Sequence, residues 1–285
     1  MVSVIIPFYN RVDLLIRAID SVFRQTFDNW ELIMVNDNST EALDSILKIN
    51  KGPNAQSVKI LHNERNMGPG YSRNIGLDVM NGDKVLFLDS DDKLSDNFLE
   101  EMMKIITPNQ LFSYSSALWE DGDVYKTSNI GYNKVLPTLL DMGRPWHTSA
   151  ILWNSKYISR FNEDLKNWED YLFEFESALN NNNIRHTNQT YVSISNPNDN
   201  NLSSREKTID GYKNRFLALY LMWKRVSFFT DFGAKLSVLL KYLKIRRAFL
   251  RDFELHSFNT SAIKIIKFIP DNKLILSILI RLIRK

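Results

Sequence analysis

Two hydrophobic periods alternate along the first 110 residues. Val2-Ser-Val-Ile-Ile-Pro7 is a β-branched run closed by proline, which predicts a buried first strand. Val12, Leu15, Ile16, Ile19, Val22 and Phe23 then recur at helical spacing, with Arg17, Asp20, Arg24 and Gln25 on the other side. Trp30 to Val35 predicts a second strand, Thr40 to Ile49 a second helix and Ser57 to Leu61 a third strand. Gly68-Pro69-Gly70 punctuates the chain ahead of a helix from Tyr71 to Met80, and Lys84 to Leu88 is a fourth, buried strand. Strands alternating with helices predict an α/β fold with a parallel sheet.

From Leu111 the pattern turns antiparallel. Leu111 to Leu118 and Val124 to Ser128 flank Glu120-Asp121-Gly122-Asp123, a hairpin turn, and His147 to Trp153 predicts a further strand. A helix is expected from near Trp168, with Leu172, Phe173, Phe175, Glu176 and Leu179 in it and Asn180 to Asn183 ending it. Ser195 to Ser204 is Asn-rich and aperiodic, which predicts a loop, linker or hinge. Residues 205–285 are helix-like throughout. Their last segment sets Leu274, Ile275, Ile278, Leu279 and Leu282 against Lys273, Arg281, Arg284 and Lys285, as an interfacial helix would.

Composition narrows the class. With 44% hydrophobic residues, 12% aromatic, 10 Gly and 8 Pro in 285, collagen-like, low-complexity and wholly disordered chains are excluded. The absence of cysteine excludes disulfides, zinc knuckles, iron–sulfur clusters and a cysteine nucleophile. The opening lacks a secretory signal, and the longest apolar runs fall short of the roughly 18 residues of a spanning helix, so a cytoplasmic protein is expected. The net charge of +3 hides an asymmetry. Residues 1–210 carry 20 Lys+Arg against 29 Asp+Glu, a net −9, while residues 211–285 carry 16 against 4, a net +12. Basic helices interleaved with aromatics, as in Leu221 to Phe229, point to peripheral contact of 211–285 with an anionic membrane surface, and no nucleic-acid partner is expected. A helical subdomain with its own core, or a dimer contact, is the alternative.

Candidate chemistry gathers at the carboxyl ends of the strands, where open α/β sheets bind ligands. Pro7-Phe8-Tyr9-Asn10 follows the first strand, Asn36-Asp37-Asn38-Ser39 the second, and Asp89-Ser90-Asp91-Asp92 the fourth. Carboxylates this close raise each other's pKa unless a cation sits among them, which points to a hard divalent metal, Mn2+ or Mg2+. A helix cap or a solvated loop is the plain alternative for an isolated cluster.

These segments, with Asn66-Met-Gly-Pro-Gly-Tyr-Ser-Arg-Asn-Ile-Gly76, resemble the family 2 glycosyltransferases in order and separation. The resemblance is strong over residues 1–105 and looser to about 205. It implies a GT-A fold, a Rossmann-like nucleotide-binding mixed sheet flanked by helices, over residues 1–205, with a nucleotide-sugar half (1–105) and an acceptor half (106–205). Residues 206–285 would then be a basic amphipathic helical extension. It implies metal-dependent, inverting transfer from a nucleotide-diphosphate sugar, a UDP-sugar being favoured, to a saccharide or lipid-linked saccharide in polysaccharide biosynthesis. Donor binding falls to Pro7, Tyr9, Asp37, Arg73, Asp89 and Ser90, with Asp37 receiving the imide N–H of the base; the metal falls to Asp91 and Asp89. Asp170 in Trp168-Glu169-Asp170 resembles the aspartate that removes the acceptor proton, with Glu169, Trp168 and His147 orienting the site or binding acceptor. Gly68 and Gly70 would let backbone approach the donor, Arg205 and Lys207 would reach the diphosphate, and neither His147 nor His186 fits a ligand motif. The QxxRW signature of processive synthases is absent, so one sugar per encounter is expected. A nucleotidyl- or phosphoryl-transfer enzyme, or a catalytically silent membrane-associated assembly subunit, are the alternatives.

Overall fold

The structure is a computed structural model that describes residues 1–41, 58–125, 134–141, 144–195 and 208–225, with isolated positions between 238 and 248. Its elements are β1 (Val2–Phe8), α1 (Val12–Phe23), β2 (Trp30–Asn36), β3 (Val58–His62), α2 (Pro69–Val79), β4 (Lys84–Phe87), β5 (Lys93–Leu94), α3 (Phe98–Ile105), β6 (Phe112–Trp119), β7 (Val124–Tyr125), α4 (Val135–Asp141), β8 (Ile151–Asn154), α5 (Glu169–Asn180), β9 (Ile184–Ile194) and α6 (Ile209–Arg225). The strands form one sheet in the order β3-β2-β1-β4-β8-β6-β9-β5, with β7 beside β6. β3, β2, β1 and β4 run parallel, β8 is antiparallel to both β4 and β6, and β9 returns parallel to β6.

All seven residues of β1 and of β2 are buried, because this part of the sheet is covered on both faces. Alternation sorts their side chains. Val2, Val4, Ile6 and Phe8 of β1 with Trp30, Leu32 and Met34 of β2 pack against Leu15, Ala18, Ile19 and Val22 of α1. Ile5, Ile33 and Val35 join the opposite core with Phe87, Leu172, Phe173 and Phe175. On that face α2 lies so close that a Cβ at Gly76 would stand 2.5 Å from Cγ2 of Ile5. Gly76→Ala should therefore lower stability by about 1–3 kcal/mol, read from urea unfolding, whereas an unchanged midpoint would mean that α2 has room to shift.

Differences from the sequence expectation have local causes. The segment expected as a strand from His147 to Trp153 is a 3-10 turn over Thr148–Ala150, and β8 begins only at Ile151. The side chain of His147 accepts the backbone N–H of Ser149, which closes the turn. β5, α3, α4 and β9 are additions to the expected elements. In α6, Tyr212, Ala218, Leu219 and Met222 are buried in the same core as α5, together with Val238 and Ile245. The start of the basic extension is thus packed on the sheet domain. Residues 42–49 of the expected second helix, the loop 196–207 with Arg205 and Lys207, and the amphipathic segment from Lys273 lie outside the described residues. Among the described residues no helix is long and apolar enough to cross a membrane.

On this one face of the sheet, α2 and the loop before it are tied to the segment that leads into α5. Asn74 exchanges two 2.9 Å hydrogen bonds with the backbone of Phe161, and Lys166 Nζ donates to the carbonyl of Met67 at 2.7 Å.

Candidate active site

The mouth of β1 is held in an unusual backbone conformation. Asn10 and Arg11 are both left-handed, at φ 55° and 58°. The Asn10 Oδ1 accepts the backbone N–H of Thr40 and of Glu41, and its own N–H donates to Ser39 Oγ at 2.8 Å. Asn10 thus ties the β1 loop to the loop after β2. Pro7 is buried within β1, beyond the last residue paired to β4, while Tyr9 is 46% exposed and presents an open ring.

Asp37 is buried, and its carboxylate does not cap its own loop. It accepts the backbone N–H of Met67 and of Gly68 and the side-chain amide of Asn63, each at 2.8 Å. Gly68, at φ 94°, takes a conformation that suits glycine and starts α2. A carboxylate has about four lone-pair sites, so about one remains for an incoming donor group.

The loop after β4 holds Asp89, Ser90 and Asp91 half-buried and Asp92 buried. The Asp89 carboxylate meets Arg73 at 2.8 Å, and Asp91 meets Arg11 at 3.2 Å. Asp92 accepts Ser149 Oγ at 2.5 Å, and the backbone N–H of Ser195 reaches its other oxygen at 3.3 Å. His147 Nδ1 stands 3.3 Å from Asp92. Ligand atoms of Asp89, Asp92 and His147 all lie within 4.8 Å of one another. Burial, then the charges of Asp89 and Asp91, push the Asp92 carboxyl well above the usual range, and burial lowers His147 to about 4.

That donor set fits a divalent cation. His147 Nδ1 accepts from Ser149 and stands 3.3 Å from Asp92 Oδ2, a pair of acceptor atoms that either a proton on Asp92 or a bound cation would reconcile. The two carboxylates suit either Mn2+ or Mg2+, and the imidazole favours the transition metal Mn2+ over Mg2+, which prefers an all-oxygen shell. His147, lacking a motif in the sequence, joins the cluster through the 3-10 turn, while His186 stacks on Tyr114 with ring centroids 5.4 Å apart.

Across from the loop, α5 starts at Glu169 from a left-handed Trp168, φ 63°. Glu169 is buried and receives Arg73 at 3.1 Å, so Arg73 links it to Asp89. Burial and the neighbouring Asp170 raise Glu169 to about 7. Asp170 goes the other way: burial alone would raise it, but Arg144 and Arg73 hold it below the usual range. Arg144 ion-pairs with Asp170, binds Glu174 through its Nε at 2.9 Å and donates to Thr148 at 2.9 Å. The Trp168 ring stacks on Tyr171 at 4.8 Å, and the Arg215 guanidinium lies 5.5 Å from its centroid. Arg144, Arg11 and Asn63 carry no motif in the sequence; the carboxylates they meet, Asp170, Asp91 and Asp37, lie 26 or more residues away, so only the fold brings them together.

A sequence model described as glycosyl transferase family 2 matches residues 3–178. The chain belongs to this family. An uncharacterized glycosyltransferase of Rickettsia bellii is 38% identical over 133 residues, which cover 46% of this family 2 chain and 19% of the relative. Another, from Haemophilus influenzae, is 29% identical over 194 residues, covering 61% of the chain and 58% of the relative. The chain therefore spans less than two thirds of the length of either. Among solved structures, S. aureus TarS 1-349 in complex with UDP-GlcNAc superposes with a TM-score of 0.67 at 21% identity, covering 87% of this chain and 73% of that one. The mannosyltransferase PcManGT of Pyrobaculum calidifontis, in complex with GDP-Man and Mn2+, gives 0.62 at 15% identity, covering 93% and 78%. These likenesses establish the GT-A fold for the family 2 chain.

Proposed function

We propose that the chain is a metal-dependent, inverting hexosyl- or N-acetylhexosaminyltransferase. It would move one sugar per encounter from a UDP-sugar to a saccharide or lipid-linked saccharide in polysaccharide biosynthesis. The observation that carries this reading is the pairing of an ionised carboxylate, Asp170, with the metal-competent triad Asp89, Asp92 and His147. Arg73 links the two groups by contacting Asp89 and Glu169. The UDP-GlcNAc of one neighbour and the Mn2+ of the other are consistent with donor and ion.

Tyr9 offers its exposed ring to the base, Pro7 shapes the mouth beneath it, and Asp37 offers its remaining lone pair to the imide N–H. Ser90, half-buried between Asp89 and Asp91 in the sequence, would contribute to donor binding. The bound divalent ion supplies positive charge for the departing diphosphate. Asp170 receives the proton of the acceptor hydroxyl as that oxygen bonds to the anomeric carbon, and the bonding pair of the broken C–O bond leaves with the diphosphate. Because Arg144 and Tyr171 each donate to Asp170, its orientation is fixed before the acceptor arrives. Attack from the face opposite the leaving group turns an α donor into a β product. The basic segment 211–285 would hold the enzyme at the inner, anionic surface of the membrane that carries the acceptor.

The test is release of nucleoside diphosphate from UDP-, GDP- and dTDP-sugars with Mn2+, Mg2+ or chelator, in the presence of membrane extract. Release from one donor, abolished by chelator and by Asp92→Asn and restored to wild type by Mn2+, is the expected result. Silence with every donor, together with no metal-dependent nucleotide binding, would sink the proposal.

A further inference from the structure

Two of the three carboxylates of the Asp89–Asp92 loop each meet an arginine, and the two arginines differ in burial. Arg73 is fixed: it is 4% exposed, shared between Asp89 and Glu169, and its guanidinium lies 5.3 Å from the centroid of the Phe161 ring. Arg11 sits at the rim. It meets Asp91 at 3.2 Å, and the two side chains keep 28% and 23% of their surface exposed. Its left-handed backbone follows a left-handed Asn10 whose side chain is bonded to Thr40 and Glu41, so the β1 loop itself delivers the guanidinium to Asp91.

We propose that Arg11 is an internal counter-cation, which occupies Asp91 in the substrate-free site and yields it to the divalent ion when a nucleoside diphosphate arrives to take the guanidinium. The inference rests on the reading of Asp89, Asp92 and His147 as a metal site. A guanidinium presents a planar fork that matches phosphate oxygens as well as it matches a carboxylate, so a diphosphate can take the place of Asp91 on it. A divalent ion beside Asp89, Asp92 and His147 would then feel the unneutralised charge of Asp91, which already acts on Asp92. The metal and the diphosphate each remove an obstacle to the other, and by linkage the factor by which one tightens the other is the same in both directions. Arg73 is not placed to act in this way, because it is buried and moving it to a diphosphate would leave Glu169 buried without its cation.

The inference is tested by titrating the full chain with Mn2+, following free Mn2+ by electron paramagnetic resonance, with and without UDP. Without nucleotide, Arg11→Gln should bind Mn2+ about fivefold more tightly than wild type, the worth of a partly exposed ion pair, while Arg11→Lys should stay near wild type. UDP should tighten Mn2+ binding less in Arg11→Gln than in wild type. Structural damage weakens a metal site, so a gain in affinity has no such explanation. Unchanged or weaker binding by Arg11→Gln, with wild type binding Mn2+, overturns the counter-cation alone. Failure of wild type to bind Mn2+ with or without UDP overturns the metal site and the counter-cation together.

Discussion

Asp170→Asn is expected to lower kcat by about 10²- to 10⁴-fold, the range for losing a general base, with little change in KM for the donor. The substitution keeps the volume and removes the site to which the acceptor proton would go. Arg144 retains Glu174 and Thr148 as partners, so the start of α5 should hold its position. The measurement is steady-state turnover with the acceptor-containing extract, beside thermal unfolding to confirm that the variant is folded. A fall in kcat with donor binding intact fits a group that acts on the acceptor. If kcat stays within about threefold of wild type, the proton goes elsewhere, and Asp170 becomes a structural partner of Arg144.

Arg73→Met is expected to destabilise the fold by about 3–5 kcal/mol, the usual loss when one member of a buried ion pair is removed. The arginine side chain is 5% exposed and that of Glu169 is 8% exposed, so the stranded carboxylate has little access to water. The loss should depend on pH with a definite sign. Glu169 is raised to about 7 from an ordinary 4.5 even with Arg73 beside it, and removing that cation raises it further. Between those values the folded chain holds a proton that the unfolded chain releases, so lowering the pH through this window favours the fold. Urea unfolding at pH 8 and pH 5.5 should therefore show the larger deficit at pH 8. An equal deficit at both would mean that Glu169 is ionised throughout and finds another partner.

The parallel half of the fold was legible in the sequence because its strands are buried on both faces. Such strands read as nearly continuous apolar runs, as Val2 to Ile6 and, apart from Glu31, Trp30 to Val35 do. α1 was legible from the recurrence of Leu15, Ile19 and Val22 on one face. β9 was not. Its middle, Arg185 to Thr190, is polar and largely exposed, and its pairing with β6 shifts register about Ser116, so no unbroken period of two runs through it. α3 did carry a signal, since Phe98, Leu99 and Met102 recur at helical spacing over eight residues. In the site, the acidic loop and Trp168-Glu169-Asp170 are contiguous and stood out as motifs. The His147 contact with Asp92 depends on the turn at Thr148–Ala150, and the hold of Arg144 on Asp170 on the packing of α5, neither of which leaves a local pattern.

The stitching between α2 and the segment before α5 bears on how new specificities could arise in such a chain. Arg73 and Asn74 belong to the stretch proposed to bind the donor, whereas Phe161, Glu163 and Glu169, which they contact, belong to the stretch proposed to bind the acceptor. A gene fusion that grafts the first stretch of one relative onto the second of another would have to inherit both sides of these contacts together. The two stretches are therefore not interchangeable cassettes, and recombination between relatives should succeed mainly where Arg73, Asn74 and Glu169 travel as a set.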